Sequence, residues 1–183
     1  MYITTKAGLT CAVAGLVCVW SADVSAQDAH HVYNFGTNIT NADLKGFTSP
    51  LPDGRGMPVG SGTVAQGQKV YTQQCVACHG VNLEGGLGDR LIGGRGTLAA
   101  KDGVQAPIKT VESNWPYATT LFDYIKRAMP FTTPNSLSND DVYAVSAYIL
   151  YKANIIAADA TMDQKSMPAV VMPNHDGFIT SDR

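Results

Sequence analysis

The sequence contains 183 residues, of which 45% are hydrophobic and 15% charged, with 13 basic residues against 15 acidic ones. This length fits one domain, and the apolar share is too high for a chain that is disordered throughout. A net charge of −2 excludes the overall positive field with which nucleic-acid-binding proteins neutralise phosphates. Nucleic acid is therefore not an expected partner.

The first residues are predicted to form a secretory signal peptide, residues 1–26. Lys6 precedes an uncharged, mostly apolar run over residues 7–20, shorter than the roughly 20 residues that a membrane-spanning helix needs. Val24 and Ala26 have the small-residue form of a cleavage site. We therefore expect export to the periplasm and no stable membrane anchor after cleavage, with an uncleaved anchor as the alternative.

Residues 27–60 are predicted to form an N-terminal arm, because a segment this short cannot build a core of its own. Its apolar residues, Tyr33, Phe35, Leu44, Phe47 and Leu51, need a surface on which to lie. His30 and His31 could bind a metal ion, but no further ligands are near in the sequence. An exposed polar pair is the expected interpretation of the two histidines.

A short helix is predicted from Thr63 to Cys75, with Ser61 or Thr63 as the capping residue. Its apolar positions at helical spacing are Val64, Gly67, Val70 and Tyr71. A glycine inside a helix costs about 1 kcal/mol relative to alanine and usually marks close packing. We therefore expect another helix to cross at Gly67.

Residues 75–79 have the sequence C-V-A-C-H, which is the C-x-x-C-H attachment pattern of a c-type haem. Two thiols one turn apart can each form a thioether with one vinyl group, and the adjoining His79 can ligate the iron. A thioredoxin-like pair would need a βαβ pattern, and a zinc site would need further spaced ligands; neither is found. A chance occurrence is the third alternative. We predict one covalent haem c, held by Cys75 and Cys78, with His79 as an axial ligand.

The glycine-rich stretch between His79 and Trp115 is predicted to be an irregular loop folded over the haem, without a regular element. The next helix is predicted to begin with Pro116 in its first position and to run toward Met129. Its apolar residues are Leu121, Phe122, Tyr124, Ile125 and Ala128.

The second axial ligand must come from the sequence after His79. The candidates there are Met129, Met162, Met167, Met172 and His175. Met129 is preferred because Pro130 follows it and because it opens a polar loop, residues 129–135, between two helical patterns. Its alternative role is ordinary core packing, which is also the role predicted for the other three methionines. His175 is the next candidate ligand.

The strongest helical pattern runs from Asn139 to about Ala153 and is opened by a capping sequence that starts at Ser138. Its predicted buried stripe consists of Val142, Val145, Tyr148 and Ile149. This helix is the expected partner of Gly67.

Residues 156–183 form a predicted C-terminal arm, whose apolar residues are Val170, Val171, Phe178 and Ile179. Both arms are expected to pack partly on the central domain, residues 61–155, and partly on a partner protein, with simple flexible tails as the alternative.

The order of these elements, with a Met-Pro loop between the last two helices, resembles a class I cytochrome c over residues 61–155. The resemblance implies an all-α fold in which three main helices surround a covalently bound haem, here extended by the two arms. It also implies that the first and last helices cross at Gly67 and Tyr148.

Residues 115–131, WPYATTLFDYIKRAMPF, and residues 141–150, DVYAVSAYIL, are similar to the haem subunit of periplasmic sulfur-compound dehydrogenases. The motif LIGGRGTL at residues 91–98 agrees with this family, as do residues 52–54, 60–62 and 172–178. The resemblance implies a partner with a molybdenum cofactor, which oxidises sulfite or sulfane sulfur and passes electrons to the cytochrome. A downstream cytochrome or oxidase would then accept them. A single C-x-x-C-H argues against the second haem that some members have.

Three functions remain compatible with the sequence. With histidine and methionine on the iron there is no open position for a substrate, so electron transfer is the default and no catalytic centre of its own is expected. The first function is the haem subunit of a sulfur dehydrogenase. The second is a free cytochrome that shuttles between respiratory complexes and needs no apolar arms. The third is a haem sensor or peroxidase-like enzyme in which Met129 is displaced.

Overall fold

The computed structural model describes residues 36–44, 47–99 and 106–178. The predicted signal peptide, the histidine pair at 30–31 and the apolar residues Tyr33, Phe35 and Ile179 lie outside these ranges. The chain divides into two units, Met1–Ile39 and Thr40–Arg183, and the helices and strands given below all belong to the second.

The first predicted helix is confirmed. Helix α1 spans Val64–Gln74 and follows a short strand β1, Ser61–Thr63. The N–H of Gln66 donates to Oγ1 of Thr63 at 3.2 Å, while the N–H of Thr63 donates to Oε1 of Gln66 at 2.8 Å. This reciprocal pair satisfies two donors that a helix start leaves without partners. Thr63 is therefore the capping residue, and helix α2, Val76–His79, follows almost directly.

The loop after His79 contains two short helical elements that the sequence pattern does not predict. A 3-10 turn spans Thr97–Ala99, and helix α3 spans Val111–Asn114. In α3 the N–H of Ser113 donates to Oγ1 of Thr110 at 3.1 Å, and the N–H of Thr110 donates to Oγ of Ser113 at 3.0 Å. The prediction of no regular element is therefore wrong here, because a capping pair and not an apolar period forms α3.

Helix α4 spans Ala118–Ala128, so the prediction that Pro116 occupies its first position is wrong. Tyr117 has extended backbone and forms an isolated antiparallel bridge with Val171, which delays the start of the helix. The predicted apolar residues Leu121, Phe122 and Ile125 are buried, whereas Tyr124 is 49% exposed.

Helix α5 spans Asn139–Lys152, close to the predicted bounds. Oγ of Ser138 accepts the N–H of Asp141 at 3.1 Å and so caps the helix. The predicted stripe is buried, but so is every other residue from 142 to 150. Because α1, α4, β1 and a second strand all contact α5, this helix is buried on every side and forms the centre of the core.

Helices α1 and α5 cross at Gly67, as predicted. A Cβ atom placed on Gly67 would lie 1.8 Å from the carbonyl oxygen of Ala144 and 2.8 Å from Cβ of Tyr148. The rings of Tyr71 and Tyr148 pack against each other at the same crossing, with centroids 5.3 Å apart. The contact is thus tightest at the backbone of Ala144, one helical turn before Tyr148.

A two-stranded sheet joins the C-terminal segment to the start of α1. Strand β2, Thr161–Asp163, pairs antiparallel with β1, so that Ser61 lies opposite Asp163. The fold is helical, as predicted, and contains one small sheet that the sequence does not reveal, because its strands are too short to show an alternating pattern. The described part of the chain is therefore a helical fold with little sheet.

The three C-terminal methionines are core residues, as predicted. Met162, Met167 and Met172 are all buried in the same hydrophobic cluster as α5.

Exposed apolar side chains lie both before and after this packed region in the sequence. They include Phe47 (63% exposed), Val59 (81%) and Phe178 (61%). Among the described residues, no helix is long and apolar enough to cross a membrane.

Candidate haem-binding site

The cysteine pair and His79 lie on one short turn at the end of α1. Cys75 lies between α1 and α2 and caps both helices, and α2 carries Cys78 and His79. The N–H groups of Cys78 and His79 both donate to the carbonyl of Cys75, at 3.1 and 2.9 Å. Both cysteines are free thiols. Because residues three positions apart are neighbours on a helical surface, the two thiols can reach one flat group.

The two thiols differ in their surroundings. Cys75 is half-buried and borders the hydrophobic core, whereas Cys78 is exposed. Burial, together with a smaller effect of the neighbouring Cys78, raises the pKa of the Cys75 thiol to about 11. In this fold Cys75 is therefore a neutral thiol at neutral pH.

The ring of His79 is held by the loop that follows it. Its Nδ1 lies 2.6 Å from the carbonyl oxygen of Asp89. A carbonyl can only accept a hydrogen bond, so Nδ1 carries the proton and Nε2 is left as a metal ligand. A Cβ atom on Gly88 would lie 3.0 Å from Cε1 of His79, so a glycine lets the loop close over the ring.

Tyr71 supports the same turn from inside. Its buried hydroxyl group donates to the carbonyl of Gly80, directly after His79, at 2.7 Å. Burial raises the pKa of Tyr71 above its usual value. The sequence pattern predicts only that Tyr71 lies on the apolar face of α1. The signal that could have revealed this contact is chemical, because a buried tyrosine hydroxyl needs a partner.

The loop at residues 91–98 is tied to the end of α5. Nε of Arg95 lies 2.6 Å from Oε1 of Glu112, and the guanidinium group also donates to the carbonyl of Ala153. The second carboxylate oxygen of Glu112 accepts the N–H of Gly93 at 2.7 Å. The Arg95 side chain thus links this loop to α3 through an ion pair and to the residue after α5 through a hydrogen bond.

Met129 directly follows α4 and lies far from the cysteine pair in the sequence. Its N–H donates to the carbonyl of Ile125 at 3.0 Å, and the peptide bond to Pro130 is cis. The residue opens a loop between α4 and α5, as predicted, and is half-buried. Half-buried apolar residues that border the hydrophobic core include Cys75, Val76, Leu91, Ile92, Trp115 and Met129.

His175, the alternative ligand, lies near the other end of α4. Its ring packs edge-on against Tyr117, which caps the start of α4, with centroids 5.5 Å apart. Its Nδ1 lies 2.7 Å from Oδ1 of Asp176. Met129 and His175 therefore lie by opposite ends of α4.

The donor atoms and their surroundings fit a haem. An imidazole with Nδ1 already bonded, a thioether and two free thiols match the ligands and attachment groups of a c-type haem. The glycine against His79 lets the loop pack closely on the ring, and the half-buried Cys75 and Met129 border the same hydrophobic core. By contrast, the described residues contain no cluster of three or more His, Cys, Asp or Glu side chains that could hold a metal ion.

Comparison with known proteins identifies the family. Residues 62–149 match the family described as cytochrome c oxidase, cbb3-type, subunit III. The structure also superposes on the crystal structure of the sulfane dehydrogenase SoxCD from Paracoccus pantotrophus with a TM-score of 0.73 and 37% identity. That match covers 82% of this chain and 73% of the other. The chain is a c-type cytochrome.

The cytochrome has a further relative in sulfur metabolism. It is 32% identical over 138 residues to a thiosulfate dehydrogenase from Stutzerimonas stutzeri (strain A1501). The match covers 70% of this chain and 40% of that protein. The cytochrome thus spans less than half the length of this relative. The family predicted from the sequence is confirmed, and the family implies that the cytochrome binds haem c and transfers electrons.

Proposed function

We propose that this cytochrome is the electron-accepting subunit of a periplasmic dehydrogenase for inorganic sulfur compounds. A separate subunit with a molybdenum cofactor would oxidise the sulfur compound, and a downstream cytochrome or oxidase would receive the electrons. The observation that carries the proposal is the similarity to SoxCD, which covers 82% of the chain and so includes residues outside 62–149. A similarity that includes the flanking segments supports a shared assembly as well as a shared haem fold.

In this proposal Cys75 and Cys78 each form a thioether with one haem c, and His79 and Met129 are the axial ligands. The bound haem supplies a one-electron redox centre. The hydrogen bond from Nδ1 of His79 to Asp89 orients the imidazole and increases its basicity as a ligand. Because protein side chains would occupy both axial positions, the site is suited to electron transfer and not to substrate activation.

Covalent attachment is the first expected result. Extraction of the periplasmic protein with acid acetone should leave the haem on the chain, and the mass should exceed that of the processed chain by one haem. The double variant Cys75→Ala, Cys78→Ala should lose the covalent haem. Ala77→Ser, an exposed change within the same turn, is the matched control and should keep it. Release of the haem from the unmodified protein would show that the attachment is not covalent.

Docking through the flanking segments is the second expected result. Deletion of residues 27–50 or of residues 178–183 should weaken association with the dehydrogenase at least about tenfold, or about 1.4 kcal/mol. The second deletion starts after Met172, because that side chain is buried in the core. The haem spectrum and reduction potential should change little. Affinity is measured by titration of the two purified subunits, and function by the rate of cytochrome reduction.

The point variant Phe47→Ala tests the same surface without truncation, since Phe47 is 63% exposed. Tyr151→Ala is its matched control, because Tyr151 is an exposed aromatic residue at the end of α5. If the truncated forms accept electrons with unchanged affinity, or if no sulfur-oxidising partner co-purifies, the free shuttle replaces the subunit as the proposed function.

A further inference from the structure

Lys126 connects the two ends of the loop that carries Met129. It lies in the last turn of α4, and its Nζ donates to the carbonyl oxygen of Leu137 at 2.6 Å, eleven positions further along the chain. Leu137 is buried and directly precedes Ser138, the capping residue of α5. A single side chain thus joins the end of one helix to the start of the next, across the intervening loop.

The loop itself is held by local contacts. Residues 131–136 are exposed. Their hydrogen bonds run from the N–H of Thr133 to the carbonyl of Pro130 at 2.9 Å and from Oγ of Ser136 to Oγ1 of Thr133 at 3.3 Å. Segments with exposed backbone and few buried contacts open at low free energy. The bond from Lys126 is therefore well placed to control whether this loop stays closed.

The chemistry of this contact favours a persistent bond. A hydrogen bond with an ionised donor is stronger than one between neutral groups, and this one is partly shielded from water. The ammonium group also lies at the C-terminal end of α4, where the helix dipole favours positive charge.

The next residue, Arg127, is also basic, but its side chain makes different contacts from that of Lys126. Nε of Arg127 pairs with Oδ1 of Asp123 at 2.7 Å, and its guanidinium group lies over the ring of Phe47, 4.9 Å from the centroid. It also donates to the carbonyl of Thr48. Arg127 therefore anchors the segment before α1, while Lys126 anchors the Met129 loop.

We propose that Lys126 is a positioning residue for Met129. Its bond to Leu137 keeps the loop closed and so keeps the methionine thioether on the haem iron. The proposal rests on the proposed function, because it requires Met129 to be the axial ligand. Loss of the bond raises the fraction of molecules in which Met129 has left the iron and in which an external ligand can bind.

The test is an equilibrium titration of the ferric, haem-loaded protein with imidazole, followed by the visible spectrum. Lys126→Met keeps the aliphatic stem and removes the donor, and imidazole should bind about tenfold more tightly or better. Lys126→Arg keeps a cationic donor and should restore a large part of the original affinity. Lys152→Met, in the last turn of α5, and Lys69→Met, exposed on α1, are matched controls with affinities unchanged within about twofold.

A double variant separates positioning from a general loss of stability. Lys126→Met combined with Met129→Ala should bind imidazole no more tightly than Met129→Ala alone, because Lys126 acts through Met129. An additional increase in the double variant overturns the proposal. So does a lowered melting temperature of Lys126→Met without a change in imidazole affinity. Lys126→Leu, which also removes the donor, is the second variant if Lys126→Met does not fold.

The same experiment distinguishes this proposal from the one on which it rests. If Met129→Ala binds imidazole tightly and Lys126→Met behaves as the unmodified protein, Met129 remains the ligand and the role of Lys126 is refuted. If Met129→Ala leaves the affinity unchanged, Met129 is not the ligand, and both its assignment and the role of Lys126 are refuted.

Discussion

Gly67→Val is expected to lower the free energy of unfolding by about 3 kcal/mol or more, at the upper end of the range for overpacked cores. The first added atom would lie 1.8 Å from the carbonyl oxygen of Ala144 and 2.5 Å from its carbonyl carbon. These are backbone atoms of the central helix, so they cannot move aside as a flexible side chain could. Urea denaturation of the haem-loaded protein measures the change.

Gly67→Ala adds an informative comparison, because alanine is the better helix former by about 1 kcal/mol. A loss of stability in this variant must therefore come from the crossing with α5 and not from the propensity of α1. Ala65→Val is the matched control, since Ala65 is an exposed residue of the same helix. If Gly67→Val unfolds at the same urea concentration as the unmodified protein, α1 and α5 do not cross as closely as the structure shows.

Met129→Ala is expected to alter the visible spectrum of the ferric protein and to open the iron to imidazole and carbon monoxide. The reduction potential should fall by on the order of 0.1 V, within the ~0.8 V range over which axial ligands set haem potentials. The physical reason is that a thioether ligand favours the reduced iron, and its loss removes that preference. Absorption spectroscopy and a redox titration measure both effects.

Met162→Ala, Met167→Ala and Met172→Ala are the controls for this experiment. All three side chains are buried, so each variant should lose about 2 to 5 kcal/mol of stability while its spectrum stays unchanged. This combination separates an axial ligand from a packing residue. A spectrum that does not respond to Met129→Ala would make His175 the next candidate.

Features with a repeating or chemically distinctive signal were predictable from the sequence. The apolar spacing of α1 and α5 predicted both helices, and a glycine inside α1 predicted their crossing. The three-residue strands β1 and β2 were missed, because two or three positions cannot show an alternating pattern. The start of α4 was misplaced because Tyr117 forms a bridge to a residue far along the chain, which no local signal reveals.

For the candidate site, the sequence predicts which side chains are involved but not the contacts that orient them. The cysteine pair, His79 and Met129 stand out by residue type and spacing, and their roles toward the haem stay predictions. The contacts that orient them use backbone carbonyls of Asp89, Gly80 and Leu137. A carbonyl group is present at every residue, so its use as a partner leaves no trace in the sequence.

The helices and strands that pack together in the core lie far apart in the sequence, and this distance determines the order in which the chain can fold. Helix α1 packs on α5, and β1 pairs with β2 about a hundred positions later, so neither contact can form until most of the chain has been synthesised. Until then the turn at residues 75–79 belongs to an open chain. Once the fold closes, burial makes Cys75 a poor nucleophile, with its pKa raised to about 11. The proposed attachment of haem to both thiols is therefore expected before folding is complete, and the late pairing of β1 with β2 keeps the turn accessible until then.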